Sequence, residues 1–131
     1  MMPRWALDAW LSAMFRGQSL DTPAEHYVAL FKGDPGQDGA KGEISAPGYA
    51  RQRVSFTPPR EGVIENEKVL EFGKAPEAWG AVTHLAVFDA QVGGRMLWSA
   101  ELDEYQDVKK HGRFEIEAGW LRIDFGNGGP S

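Results

Sequence analysis

The side chains best suited to acid–base or metal chemistry are spread along the chain and form no recognisable motif. The three histidines, His26, His84 and His111, show none of the H-x-H or H-E-x-x-H spacings that place two imidazoles on one metal ion. His84 lies in an apolar segment, where the alternation of a strand sets it on one face with Val82 and Ala86. We therefore expect the histidines to be structural or surface residues, and we expect no metal ion and no cofactor.

Enzymatic sequence motifs are also missing. The chain contains no G-x-S-x-G nucleophile elbow, no G-x-x-x-x-G-K-[ST] phosphate loop and no G-x-G-x-x-G turn. Carboxylates are plentiful, and two of them on neighbouring strands could act as an acid–base pair, but sequence spacing alone does not bring two together. The chain has no cysteine, so a thiolate nucleophile and a disulfide framework are both excluded. The sequence favours a protein that is not an enzyme.

The segment KGDPGQDGAKGE, residues 32–43, has a glycine at every third position. This period is that of collagen, but a run of about three triplets is too short to sustain a triple helix. Its acidic residues could bind Ca²⁺, although their spacing departs from the D-x-[DN]-x-[DN]-G pattern of an EF-hand. These acidic residues are Asp34, Asp38 and Glu43. We interpret the segment as a long loop between two strands, in which glycine supplies positive φ angles.

The balance of charge argues against nucleic acid as a partner. The chain has 14 basic and 19 acidic residues and a net charge of −5, and only Lys109 and Lys110, beside His111, form a basic cluster. Nucleic-acid-binding surfaces need a basic stripe or patch. We also expect no membrane partner, because no apolar run is long enough to cross a bilayer. Asp8 interrupts the N-terminal apolar run, which we therefore interpret as mature sequence and not as a signal peptide.

The first seventeen residues predict an amphipathic helix that ends at Gly17. Apolar side chains recur at the i, i+3, i+4 and i+7 spacing of one helix face. A helix with so many apolar residues must pack on its own domain or on a neighbouring subunit. We call residues 1–17 the arm. The candidate contacts of the arm to an oligomer partner are Trp5, Leu7, Trp10, Leu11, Met14 and Phe15.

Residues 18–131 predict a single all-β domain. Short segments with a period of two alternate with turn sequences, and no further helix intervenes. Such a pattern is typical of an antiparallel β-sandwich of jelly-roll or Greek-key type with about eight strands, each sheet having one covered and one wetted face. The strand segments are residues 26–32, 49–56, 68–72, 81–89, 95–102, 107–112, 113–119 and 120–126.

Two of the five tryptophans are candidate contacts to a sugar. Trp79 and Trp98 lie at strand positions, and an exposed aromatic face can stack on a sugar ring. Packing in the core or in a subunit interface is the alternative, and it is the one that strand positions favour.

Several stretches resemble a family of small virion proteins of tailed bacteriophages and prophages, usually labelled tail fibre-like proteins. The arm ends in AMFRG, Thr22 and Pro23 lead into HYVALF, and GYARQ follows at residues 48–52. WGAVTHLAVFD at residues 79–89 then precedes a double glycine. The resemblance covers residues 5 to about 125. The motif residues, which we expect to support the fold, are Gly48, Tyr49, Arg51, Trp79, Gly80, Thr83, His84, Asp89, Gly93 and Gly94.

The resemblance implies a non-enzymatic structural protein of the phage virion, made in the host cytoplasm and associated with the tail or tail fibre. We expect a homo-oligomer, with three subunits favoured, that contacts other virion proteins. One alternative is a decoration protein on the outside of the capsid. Another is a receptor-binding module whose loops at residues 33–47 and 57–62 contact a bacterial surface glycan.

Overall fold

The computed structural model describes residues 1–124, which form one helix and eight strands. All strand pairings are antiparallel. This confirms the predicted all-β fold with one short N-terminal helix. Phe125 and the predicted turn at 126–131 lie outside the described residues. The elements are α1 Arg4–Arg16, β1 Tyr27–Phe31, β2 Gln52–Arg53, β3 Val63–Glu65, β4 Leu70–Lys74, β5 Gly80–Phe88, β6 Met96–Val108, β7 Arg113–Ile116 and β8 Arg122–Asp124.

The strands form one large sheet and two ribbons. The large sheet has the order β2-β1-β5-β6, and the ribbons are β3-β8 and β4-β7. Leu30 on β1 and Leu85 on β5 share a core with Phe72 on β4 and Phe114 on β7. The core therefore lies between the large sheet and the β4-β7 ribbon, as in a β-sandwich. A jelly-roll connectivity stays a prediction.

The opposite face of the large sheet is also buried. Ala29, Phe31, Ala86, Phe88 and Met96 form a second apolar cluster on β1, β5 and β6. The expectation of one wetted face is thus wrong for the centre of this sheet. The glycine-rich segment covers the face, because a Cβ at position 39 would lie 2.6 Å from the Phe88 ring. Only glycine permits that approach.

The predicted strand boundaries differ most from the observed ones at three places, and β7 and β8 are also shorter than predicted. Segments 95–102 and 107–112 were expected as two strands, but β6 continues from Met96 to Val108 and bulges between its pairings with Val82 and His84. A β-bulge takes up extra residues without ending the strand, so the two predicted segments belong to one strand. In segment 49–56 only Gln52 and Arg53 pair as a strand, and β3 was not predicted. Within residues 1–124, no helix is long and apolar enough to span a membrane.

Candidate functional site: the arm and the motif cluster

The first turn of the arm is fastened to the domain. The indole Nε1–H of Trp5 donates a hydrogen bond to the Met96 carbonyl at 3.0 Å. The Arg95 guanidinium lies 4.3 Å from the centroid of the Trp5 ring, within reach of a cation–π interaction. The backbone N–H of Arg4 donates to Oε1 of Gln37 in the glycine-rich segment at 2.7 Å. These contacts fix the direction in which the helix leaves the domain.

The chain ahead of the helix extends the edge of the large sheet. The Ser99 N–H on β6 donates to the Met1 carbonyl at 2.9 Å, and the Met1 amino group donates to the Ser99 carbonyl. Burial lowers the pKa of this amino group, and the charge of Asp124 opposes that shift. Residue 1 therefore covers part of the open edge of β6.

The far end of the helix carries apolar side chains that face solvent. The exposed fraction rises along the helix, from 49% at Leu11 through 65% at Met14 to 79% at Phe15. Trp10 is also exposed, and Leu7 is half-buried. The helix ends as predicted at Gly17, which has a φ of 69° and donates its N–H to the Ser12 carbonyl. The predicted contact residues thus divide into an anchored set near Trp5 and a projecting set near Phe15.

A second cluster joins two motif segments around Arg51. The guanidinium donates from Nε and Nη2 to the two Glu43 carboxylate oxygens, each at 2.9 Å. Its Nη1 donates to the carbonyls of Ala90 at 2.8 Å and Gly93 at 2.7 Å. The guanidinium carbon lies 3.8 Å from the centroid of the Phe88 ring. Arg51 thereby ties the GYARQ segment to the turn after β5.

Tyr49 completes this cluster on its apolar side. Its hydroxyl donates to Glu43 Oε2 at 2.6 Å and accepts from the Leu30 N–H at 3.1 Å. Its ring stacks on Phe72 and meets the Trp79 ring edge-on. Burial and the hydrogen bond to Glu43 raise the pKa of the Tyr49 hydroxyl far above its ordinary value. The hydroxyl therefore stays protonated and acts as a structural donor.

The remaining motif residues also have structural partners. A Cβ at position 48 would lie 2.5 Å from Cδ of Pro76, so glycine is required where these two segments touch. Asp89 Oδ1 accepts from the Arg95 N–H at 2.7 Å, which closes the turn that contains Gly93 and Gly94. Gly80 begins β5, where Thr83 Oγ1 and His84 Nδ1 lie 2.7 Å apart. These contacts hold the turns and strand ends at which the motif residues lie, and their contribution to stability stays a prediction.

A protein-family model matches residues 2–124 of the chain. Its description is Podophage GP4 fiber I protein gp80. The chain belongs to this family. The resemblance to phage tail fibre-like proteins is thereby confirmed at the level of a phage fibre family. Among curated proteins, no match is found.

In this member of the gp80 fibre family, the two tryptophans that were candidate sugar contacts are buried. Trp79 is fully buried, and its Nε1–H donates to the Pro47 carbonyl at 2.9 Å. Trp98 lies in the same core, opposite Val87. Neither ring offers a face to solvent. The strand positions favoured packing over contact with a sugar, and both tryptophans pack in the core.

The glycine-rich segment of this gp80-family chain is a closed loop. The Lys32 N–H donates to the Gly42 carbonyl at 2.8 Å, so the two ends of the loop meet. The carboxylates of Asp34 and Asp38 accept from the backbone N–H groups of Gly36 and Ala40. Positive φ angles at three of the glycines exclude the polyproline conformation that collagen needs. Within residues 1–124, no group of three or more acidic or histidine side chains is placed to hold a metal ion.

One structural residue of this fibre-family fold was missed by the sequence analysis. Asn66 is almost fully buried. Its Nδ2 donates to the carbonyls of Lys68 at 2.8 Å and Glu117 at 2.9 Å, and its Oδ1 accepts from the Leu121 N–H at 2.9 Å. An asparagine in a polar stretch is common in turns. Only the neighbouring strands reveal that this one fastens the turn between β7 and β8.

Proposed function

We propose that this protein is a non-enzymatic structural component of a tailed-phage virion, associated with the tail fibre, and that it forms a homo-oligomer through its arm. The observation that carries the proposal is the rising exposure of Leu11, Met14 and Phe15 along an anchored helix. Membership in a phage fibre family supports the virion location.

Physical reasoning favours a protein partner for the projecting end of the arm. An isolated helix of 13 residues is marginal in water. Full burial of each large apolar side chain contributes about 1.5–3 kcal/mol, so three such side chains represent a substantial stabilisation that the single chain does not use. A symmetric oligomer presents the same patch from every subunit and can bury it. An assembly of three subunits remains a prediction, and a measurement of the mass of the assembly tests it.

The motif cluster supports a structural role over an enzymatic one. The guanidinium of Arg51 and the carboxylate of Glu43 are engaged with each other and with backbone carbonyls. The Tyr49 hydroxyl both donates and accepts within the same cluster. Groups held in this way stabilise the loops that they join.

The place of the protein in the particle is tested by reconstitution. Purified protein is mixed with tails that lack it and, separately, with capsids that lack it, and bound protein is measured after sedimentation. We expect the protein to bind tails and not capsids. Binding to capsids alone would overturn the tail location in favour of a decoration protein. Binding to neither particle would overturn the virion role.

A further inference from the structure

The turn between β5 and β6 holds the Arg95 side chain in one position. Asp89 Oδ2 accepts a hydrogen bond from Arg95 Nε at 3.3 Å, and Asp89 Oδ1 accepts one from the Arg95 backbone N–H at 2.7 Å. The Asp89 N–H donates to the Arg95 carbonyl at 3.2 Å, so these two residues close the turn. The Asp89 side chain is 18% exposed. The guanidinium is therefore fixed by a carboxylate that is itself largely withdrawn from water.

The same guanidinium lies over the first turn of the arm. Its carbon is 4.3 Å from the centroid of the Trp5 ring, where the negative face of the indole attracts a cation. The edge of the indole is held by the next residue of the strand, because the Trp5 Nε1–H donates to the Met96 carbonyl. We call Asp89, Arg95 and Trp5 the latch. The latch attaches the arm to the turn between β5 and β6.

The second glycine of the double-glycine turn leaves room for the latch. Gly93 and Gly94 both have positive φ, 67° and 74°. A Cβ at position 94 would collide with Asp89 Oδ1 and lie 2.8 Å from the Ala90 Cβ, whereas position 93 has open space around it. Position 94 must therefore be glycine for two reasons, which are the backbone conformation and the approach of the Asp89 carboxylate.

Arg51 supports the latch from inside the domain. Its Nη1 donates to the Gly93 carbonyl in the turn, and its Nε and Nη2 donate to Glu43 at the end of the glycine-rich loop. Gln37 in that loop accepts a hydrogen bond from the backbone N–H of Arg4. Two connecting segments thus hold the first turn of the arm, and both are bound to the same buried guanidinium.

We propose that the latch sets the angle at which the arm leaves the domain, with Arg95 as its positioning residue. The arm contains one helix of 13 residues, so a rotation at Trp5 is carried to its far end. Phe15 lies ten residues further along the chain, about 15 Å along the helix axis, and a rotation of about 20° would displace it by about 5 Å. A fixed angle presents the projecting apolar residues in one geometry, which reduces the entropy lost on association. This consequence rests on the proposed self-association through the arm, whereas the angle itself does not.

Distances between two spin labels measure the angle of the arm, because the chain has no cysteine of its own. One label is attached to Arg16→Cys at the end of the helix and the other to Glu71→Cys on β4, both at exposed positions. Labelled full-length chain is diluted into unlabelled chain, so that double electron–electron resonance reports distances within one subunit. We expect a narrow distribution in the parent and one about twice as wide in Arg95→Ala, because the indole loses the cation that holds its face. Arg53→Ala is the matched control, since this exposed arginine lies on β2 at the opposite edge of the large sheet and should leave the distribution narrow.

Further variants separate the latch from general stability. Asp89→Asn keeps the Oδ1 acceptor for the Arg95 N–H and removes the charge beside the guanidinium, so it should also widen the distribution. The double variant should give a distribution no wider than that of Arg95→Ala alone, because both changes act through one guanidinium. Gly94→Ala should widen the distribution more than its matched control Gly93→Ala, where φ is also positive and no collision occurs.

Light scattering over a dilution series measures the effect on assembly. We expect Arg95→Ala to weaken self-association by about two- to thirtyfold, which corresponds to the loss of one cation–π contact. A distribution in Arg95→Ala as narrow as in the parent, or equal widening in Arg53→Ala, would overturn the latch. A widened distribution with unchanged association would overturn the role of the angle in assembly. A monomeric parent chain whose distribution still widens in Arg95→Ala would support the latch and contradict the proposed self-association.

Discussion

Arg51 and Glu43 form a two-pronged ion pair, with both guanidinium-to-carboxylate distances at 2.9 Å, that joins the end of the glycine-rich loop to the GYARQ segment. The Arg51 side chain is 7% exposed, so the pair is largely withdrawn from water. Such planar, bidentate geometry is specific to arginine. The same guanidinium holds the turn after β5 through Gly93. One side chain thus fixes three connecting segments.

Arg51→Ala should destabilise the fold strongly, because it removes the cation and two donors from the Glu43 carboxylate and the side-chain donor from the Gly93 carbonyl. We expect a loss of about 3–5 kcal/mol in the free energy of unfolding. Arg51→Lys should recover little of the lost stability, since an ammonium group cannot reproduce the two parallel hydrogen bonds of a guanidinium. Arg53 provides the control, because its exposed pair with Glu25 is 3.8 Å long and its loss should change stability by about 0–1 kcal/mol. Urea denaturation measures all three variants, and equal losses for Arg51→Ala and Arg53→Ala would contradict the account.

Tyr49→Phe should lower stability at neutral pH and remove part of its dependence on alkaline pH. Without the hydroxyl, the buried Leu30 N–H lacks its acceptor, at a cost of about 1–3 kcal/mol. The pKa of Tyr49 is raised from its ordinary value of 10.0 by burial first and by the bond to Glu43 second. The folded state therefore keeps its proton while the unfolded state loses it, and stability falls as pH rises above about 10.

The measurement is the difference in free energy of unfolding between the parent chain and Tyr49→Phe from pH 8 to pH 11. That difference should be constant up to pH 9 and shrink above pH 10. Tyr105→Phe removes the hydroxyl of a tyrosine that is 66% exposed and is the matched control. A difference between parent and Tyr49→Phe that stays constant to pH 11 would show that the hydroxyl ionises normally in the folded chain.

Gly48→Ala should destabilise more than Gly62→Ala. Both glycines have positive φ, 82° and 79°, so both variants lose the same backbone freedom. A Cβ at position 48 would also collide with Pro76 at 2.5 Å, whereas position 62 has open space around it. We expect the collision to add about 1–3 kcal/mol at position 48. Thermal unfolding of the two variants measures the difference, and indistinguishable midpoints would argue against this contact.

Asn66→Asp is expected to destabilise the turn between β7 and β8, although the two side chains are nearly equal in size. The two carbonyls of Lys68 and Glu117 would face a carboxylate in place of the Nδ2 donor. Each buried group left without a partner costs about 1–3 kcal/mol. Hydrogen exchange at the Leu121 and Gly119 amides reports on the turn between β7 and β8. Rapid exchange there, with β1 and β5 still protected, is the expected result, and unchanged protection would refute it.

The sequence predicts well those helices and strands whose apolar residues follow one local period. The stop at Gly17 and the alternation of Leu85 and Val87 with Ala86 and Phe88 needed no knowledge of distant segments. The predicted common face of Val82 and Ala86 is wrong, because the bulge between Val82 and His84 shifts the alternation and places the two side chains in different apolar clusters. The tryptophans show the opposite case, because a strand position alone does not say whether Trp79 or Trp120 faces solvent. Glu43 was noticed only as a carboxylate in a glycine-rich loop. Its partner Arg51 lies in another motif, and only the folded chain brings them together.

Light scattering after size exclusion tests the central claim about the arm most directly. Deletion of residues 1–17 is a poor test, because it would also remove the contacts of Met1 with Ser99 and of Trp5 with Met96. A sharper test substitutes serine for the three projecting apolar residues of the arm in the full-length chain. These residues are Leu11, Met14 and Phe15. Val92→Ser is the matched control, since Val92 is 87% exposed and lies in the turn after β5, not on the helix.

The account predicts that the parent chain and Val92→Ser have a mass that is a multiple of the 14.5 kDa subunit. The triple serine variant should have the mass of one subunit and an unchanged far-ultraviolet spectrum in the strand region. A parent chain that is monomeric at micromolar concentration, or a triple variant that keeps the parent mass, would contradict it.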